Sequence, residues 1–238
     1  MGAAAGEAAS PTLAEGAAEP VEAVLFDLGG VLLEIDFGRV FAHWAGAAGV
    51  PVARVADRFA FDAAYEAHEV GAIGATEYFE SLRRTLGLTL TDRQWHDGWC
   101  AIFVGEMPGA AALLGELDGR VPMHVFSNTN AAHHAWWSVR HASLLAPLGR
   151  VICSHQLGLR KPEVAAFGAA CERIGVAPGR VLFVDDSAVN VAGARDAGLQ
   201  AHRVDSAEAI RRVLEATGLC GAGQDAAGRP GSGGAGPG

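Results

Sequence analysis

Four short segments, far apart in the chain, carry groups suited to phosphate or a divalent cation: Val24-Leu25-Phe26-Asp27, Val125-Phe126-Ser127-Asn128, Arg160-Lys161-Pro162 and Leu182-Phe183-Val184-Asp185-Asp186. A carboxylate such as Asp27 can attack phosphorus when a cation and fixed donors neutralise the phosphate. The Gly29 carbonyl, in the following loop, and Asp186 are hard oxygen ligands suited with Asp27 to Mg²⁺. Strand alternation turns one of Asp185 and Asp186 directly toward the crevice; Asp186 is the expected ligand, with Asp185 adjacent or water-mediated and Asn190 holding the loop by hydrogen bonding. Ser127 and Asn128 offer a hydroxyl, an amide and backbone N–H groups to phosphate oxygens at a helix N-terminus. Lys161 can balance the charge on the carboxylate and on the transferring group. Each residue also has an ordinary reading: helix caps for Ser127, Asn128 and Asp186, and surface positions for Lys161 and Asn190. What favours the chemical reading is the set as a whole, because in an open parallel sheet all strand carboxyl ends open onto one crevice.

The elements that position these groups follow from hydrophobic period. Residues 21–26 read as a short buried strand, and Gly29-Gly30 as a tight turn close to a ligand. From 37 to about 107 the period is helical with no convincing strand, as in Trp95/Trp99/Phe103, which predicts a bundle of about four helices. From Pro108 onward strands at 121–127, 150–154, 180–185 and 200–204 alternate with helices at 109–118, 131–146, 163–174, 188–197 and 206–217. This is the pattern of an α/β protein with a doubly wound parallel sheet. The expected division is a core of 21–36 and 108–220, a helical insertion over 37–107, and disordered tails at 1–20, rich in Ala, and 221–238, rich in Gly.

Half of the 238 residues are apolar and the net charge is −9, with no basic stripe for a nucleic acid and no run long enough to span a membrane. Cys100, Cys153, Cys171 and Cys220 lack CxxC spacing, so reduced thiols and a cytoplasmic location are expected. Zinc-type HxxEH or HxH spacing is absent, and the nine histidines are not expected to build a zinc site. Trp44 and Trp99 read as core, and Trp136-Trp137 as a helix face packed on the sheet. The expected partner is a small phosphorylated metabolite, and the expected assembly a monomer or small homo-oligomer.

The motifs FDLGGVL (26–32), FSNTN (126–130), RKP (160–162) and FVDDSAVN (183–190) resemble the haloacid dehalogenase-like superfamily, and the helical insertion resembles its C1-type cap. More narrowly, 26–40, 96–104 and 155–163 are similar to the branch of sugar-phosphate phosphatases that contains alpha-D-glucose-1-phosphate phosphatase. The resemblance implies a Rossmann-like core, Mg²⁺, an aspartyl-phosphate on Asp27, and the roles above for Ser127, Asn128, Lys161 and Asp186. One position departs from it. Most phosphatases of the superfamily carry a second Asp, the general acid, two residues after the nucleophile, where this chain has Gly29. Losing such an acid costs ~10²–10⁴-fold unless another group replaces it or the leaving group is undemanding, as an anomeric hydroxyl is. The polar segment 65–71 of the insertion is the candidate replacement and the candidate contact for substrate hydroxyls. Two other readings stay open: a hydrolytic dehalogenase, and a sugar-phosphate-binding protein that no longer hydrolyses.

Overall fold

The computed structural model describes residues 19–220; the tails expected at 1–20 and 221–238, apart from Glu19 and Pro20, lie outside these described residues. The chain begins with β1 (Ala23–Phe26) and β2 (Leu33–Ile35). Five helices follow, α1 (Phe37–Ala48), α2 (Val52–Ala56), α3 (Ala63–Glu69), α4 (Ala75–Leu86) and α5 (Asp92–Cys100), and then β3 (Phe103–Glu106). The remainder runs α6 (Ala110–Leu117), β4 (Met123–Ser127), α7 (Ala131–Arg140), α8 (Ala142–Leu145), β5 (Arg150–Cys153), α9 (Ser154–Leu157) and α10 (Val164–Ile174). It ends with β6 (Val181–Asp185), α11 (Ala188–Asp196), β7 (Gln200–Arg203) and α12 (Ala207–Ala216).

The main sheet has the order β5-β4-β1-β6-β7 with every pair parallel. Its central strands are buried on both faces, which accounts for their unbroken apolar runs. Alternation divides the side chains: Leu25, Phe126 and Phe183 pack under Phe167 and Ala170 of α10 and Val191 of α11. Val24, Phe26, Val125 and Val184 face the opposite cluster, which holds Leu113 and Leu117 of α6 and Ile210 of α12. That cluster continues through Trp137 into Trp44, Trp95, Trp99 and Tyr78 of the inserted helices, so the tryptophans at 44 and 99 are core as expected.

The insertion differs from its sequence reading in two ways. It contains five helices, and Phe103 begins a strand rather than ending a helix. The i, i+4 spacing of Trp95, Trp99 and Phe103 mimics a helical stripe, but α5 ends at Cys100 and Phe103–Glu106 pairs antiparallel with Leu33–Ile35. A short apolar run takes its state from the partner the fold offers, and here the partner lies nearly 70 residues upstream. Farther on, the helix expected over 131–146 breaks at His141 into α7 and α8.

Candidate active site

Strand register assembles the site. Phe26 pairs with Val125 on one side and Val184 on the other, so Asp27, Ser127 and Asp185 emerge side by side at one edge of three adjacent strands. Asp27 and Ser127 there border a cavity of about 210 Å³ whose lining also includes Gly29, Asn128, Lys161, Asp186 and Asn190. Asp185 alone of the expected residues lies beneath the cavity rather than on its wall, fully buried.

Lys161 is 1% exposed, in contrast to the surface position its loop setting suggests. Its Nζ donates to Asp27 Oδ1 and Asp185 Oδ2, both at 2.7 Å, and lies 5.5 and 5.4 Å from the rings of Phe126 and Phe183. Burial works against the ammonium charge, but the two carboxylates outweigh it and raise its pKa. One cation between two buried acids leaves an excess of negative charge. Burial accordingly pushes the Asp27 carboxyl up to about 7 despite the pull of Lys161, and Asp185 adds to the rise. Asp185 is held in place: Asn190 Nδ2 donates to both of its oxygens (3.2 and 3.0 Å) and the Ser187 N–H donates to Oδ1 at 2.8 Å.

Asp186 is exposed at the mouth, and its pKa is raised by partial burial and by Asp185. Its carboxylate rests on the Gly30 backbone, where φ is +83° and an added Cβ would come within 2.4 Å of Asp186 Oδ2; only glycine permits this approach. One oxygen from each of Asp27, Asp185 and Asp186 falls within 4.8 Å of the others. Such a set of hard oxygen donors fits Mg²⁺ rather than a thiophilic ion.

The helix-cap readings do not hold. Ser187 caps α11, accepting the Asn190 N–H at 3.4 Å, and Asn130 caps α7, accepting the His133 N–H at 3.0 Å. Asp186, Ser127 and Asn128 are left out of both caps. One expected donor is corrected, however. The Asn128 amide is committed to the Lys161 backbone, donating to its carbonyl and accepting its N–H, both at 2.9 Å. This exchange locks the lysine loop to the end of β4, while Ser127, Asn128 and Asn130 remain on the cavity wall.

From the insertion, Tyr65 and Glu69 of α3 line the same cavity. Arg160 clasps that helix, with Nε and Nη2 on Glu69 Oε2 at 2.9 Å and Nη1 on Glu66 Oε1 at 2.9 Å. Burial raises the Glu69 pKa, although Arg160 and Tyr65 oppose the rise. His68, in the same polar segment, turns inward instead and stacks on Tyr78 at 4.6 Å. Ile35 is the other wall residue that matters, since a Cβ at Gly29 would meet its Cδ1 at 3.1 Å. The place where an acid would branch from position 29 is thus bordered by an apolar side chain.

Sequence alone assigns no role to Arg160, and it allows His133-His134 and Trp136-Trp137 to border the pocket while packing on the sheet accounts for the tryptophans. His133 and Trp137 of α7 in fact line the cavity. His133 stacks on Trp99 at 4.6 Å and its Nε2–H donates to the Trp99 carbonyl at 3.0 Å. Burial lowers its pKa to about 3, so below pH 6.5 the unfolded chain takes up a proton that the folded chain refuses, and stability falls as pH falls toward 3. Urea unfolding between pH 7 and 4.5 should show wild type losing, through this residue, roughly 1 kcal/mol per pH unit on average relative to His133→Asn. Parallel pH profiles would show that His133 is not held neutral.

This is the layout of a doubly wound α/β enzyme with its site at the strand carboxyl ends. The family of haloacid dehalogenase-like hydrolases matches residues 21–198, and the chain belongs to that family. Among curated proteins it is 30% identical over 196 residues to a phosphatase of Mycobacterium tuberculosis, covering 78% of this chain and 88% of that protein. It is 24% identical over 200 residues to the D-ribitol-5-phosphate phosphatase of Bacteroides thetaiotaomicron, covering 82% of this chain and 97% of that one. A magnesium complex of a HAD family enzyme from Bacteroides thetaiotaomicron shares the fold with TM-score 0.72 at 24% identity, over 82% of this chain and 99% of that one. The L-2-haloacid dehalogenase of Xanthobacter autotrophicus does so with TM-score 0.60 at 25% identity, over 84% of each chain.

Proposed function

We propose that this hydrolase is a Mg²⁺-dependent phosphatase of small sugar phosphates, glucose-1-phosphate-like, acting through an aspartyl-phosphate on Asp27. The observation that carries the reading is the cluster of Asp27, Asp185 and Asp186 with Lys161 bridging the first two. Displacement at carbon has no use for three acids around one site, whereas phosphoryl transfer uses them to hold a cation. A protein that only bound phosphate would be hindered by a carboxylate facing its ligand. The names of relatives at 24–30% identity, both of them phosphatases, support phosphate-ester hydrolysis but not the choice of an anomeric phosphate, since the one named substrate is a primary-alcohol phosphate.

In this mechanism Asp27, Asp186 and the Gly29 carbonyl would hold the cation, with Asp185 behind them, and the cation would supply neutralisation of the phosphoryl charge. An Asp27 oxygen forms a bond to phosphorus as the bond to the sugar oxygen breaks, and the electron pair leaves on that oxygen. Lys161 fixes the attacking carboxylate and stabilises the charge that builds up. Ser127 Oγ and the Asn128 backbone N–H, on the loop that borders the cavity, take the remaining phosphoryl oxygens. Water then attacks phosphorus and releases Asp27. The core (21–36 and 108–220) supplies this chemistry, while the cap (37–107) contacts the rest of the substrate through Tyr65 and Glu69. A Glu69 of raised pKa, held by Arg160, is suited to hydrogen-bond sugar hydroxyls and to take up the proton traffic that position 29 cannot carry. The four free, buried cysteines fit a reducing, cytoplasmic setting, and among the described residues no helix is long and apolar enough to cross a membrane.

Phosphate release from a panel of hexose 1-phosphates and primary-alcohol phosphates, with Mg²⁺ and with chelator, tests the reading. Without a strong acid beside the leaving oxygen, anomeric phosphates should react faster, and chelator should abolish release. A strong preference for primary-alcohol phosphates would refute the leaving-group argument, and halide release without Mg²⁺ would replace the phosphatase with a dehalogenase.

A further inference from the structure

His134, Cys153 and His155 lie outside the chemistry above, yet a ring nitrogen of each histidine and the cysteine Sγ fall within 4.8 Å of one another. The sequence hides this grouping because it is built by strand pairing. Cys153 ends β5 opposite Ser127 of β4, His134 stands in the first turns of α7 that follows β4, and His155 belongs to the short α9. The two rings meet edge to face with centroids 5.4 Å apart.

We propose that these three side chains form a second cation site, specific for a borderline-soft divalent ion such as Zn²⁺ and separate from the carboxylate cluster. Two imidazoles and a thiolate are the donors zinc selects, and water can complete a tetrahedron. Mg²⁺ prefers oxygen, so the two sites would sort their ions by softness. A second, independent observation points to a ligand: His155 Nδ1 is buried without a hydrogen bond of normal geometry, a state that costs free energy unless something fills it. The other ring has little to hold it either, its Nδ1 meeting the Gln156 amide nitrogen at 3.5 Å. Both histidines have lowered pKa values through burial, so their lone pairs are available at neutral pH. Cys153 is the group that must change. Burial pushes its thiol up to about 12 without metal, so binding breaks the S–H bond, forms a metal–sulfur bond and releases one proton to solvent.

The site adjoins the cavity. Ser154, between the two β5–α9 ligands, accepts the Thr129 N–H at 2.8 Å and reaches the Glu69 carbonyl at 2.6 Å. It thereby ties the cluster to two residues of the cavity wall.

Co²⁺ titration of the full chain in excess Mg²⁺ tests the proposal through the near-ultraviolet charge-transfer band of a cobalt–thiolate bond, which the carboxylate cluster cannot produce. One Co²⁺ per chain should bind with this band, Zn²⁺ should displace it, and Cys153→Ala should abolish it. His155→Ala and His134→Ala, which change half-buried rings, should weaken binding at least ~10-fold and serve as the test should Cys153→Ala melt early. No band in folded wild type, a band that survives Cys153→Ala, or affinity unchanged in both histidine variants would overturn it. Because the readout involves no turnover, its failure would leave the phosphatase reading untouched.

Discussion

Asp27→Asn is expected to lower phosphate release at least roughly 10³-fold while leaving the melting temperature in chelator unchanged or higher. The two effects share one cause. The amide oxygen of Asn can still accept from Lys161 Nζ, now at 2.7 Å from Asp27 Oδ1, so the loop anchored there keeps its contact. What disappears is a buried charge held beside Asp185, the charge whose pKa burial pushes to about 7. An acid with a folded pKa above its unfolded value of 3.8 binds more protons folded than unfolded between those values, and wild-type stability therefore declines as pH rises through that window. The advantage of Asp27→Asn should consequently grow from about pH 4 to 7 and level off above. Kinetics and thermal melts on the same preparations check both halves. Activity within ~10-fold of wild type would remove Asp27 from the reaction.

Lys161→Met should be the most destabilising single change in the site. The ammonium is the one cation hydrogen-bonded to both buried carboxylates among the described residues. Removing one partner from a buried ion pair costs about 3–5 kcal/mol, because charge is left unpaired. For a domain of this size that corresponds to roughly 6–20 °C in Tm. The loss should shrink at acid pH, where Asp27 takes up a proton and the repulsion with Asp185 relaxes. Activity should fall with the stability, since the same Nζ orients the attacking carboxylate. A melt within ~2 °C of wild type at pH 8 would mean the carboxylates are already neutral there and that Lys161 does not set their charge.

What could be read from sequence was whatever topology alone determines. β1, β4 and β6 are short apolar runs whose ends must share an edge in a parallel sheet, so the meeting of Asp27, Ser127 and Asp186 follows from topology, whereas Lys161 arrives on the loop between α9 and α10. Contacts set by tertiary pairing were not legible. Phe103 looked helical because nothing local announces Leu33–Ile35 as its partner. The Asn128 amide looked free because its bond to the Lys161 backbone spans 33 residues. Arg160 carried no assigned role, because its reach to Glu69 of α3 spans 91 residues. The polar segment 65–71 supplies Tyr65 and Glu69 to the cavity wall, yet spacing could not tell these apart from His68, which packs against Tyr78.

The central claim is that phosphate passes through Asp27, and acid quench of the enzyme during turnover of a hexose 1-phosphate in Mg²⁺, followed by peptide mass mapping, tests it most directly. The account predicts one added phosphoryl group on the peptide containing Asp27, absent in chelator and in Asp27→Asn. An unmodified Asp27 peptide under rapid-quench turnover, or a phosphoryl group on any other residue, would contradict it.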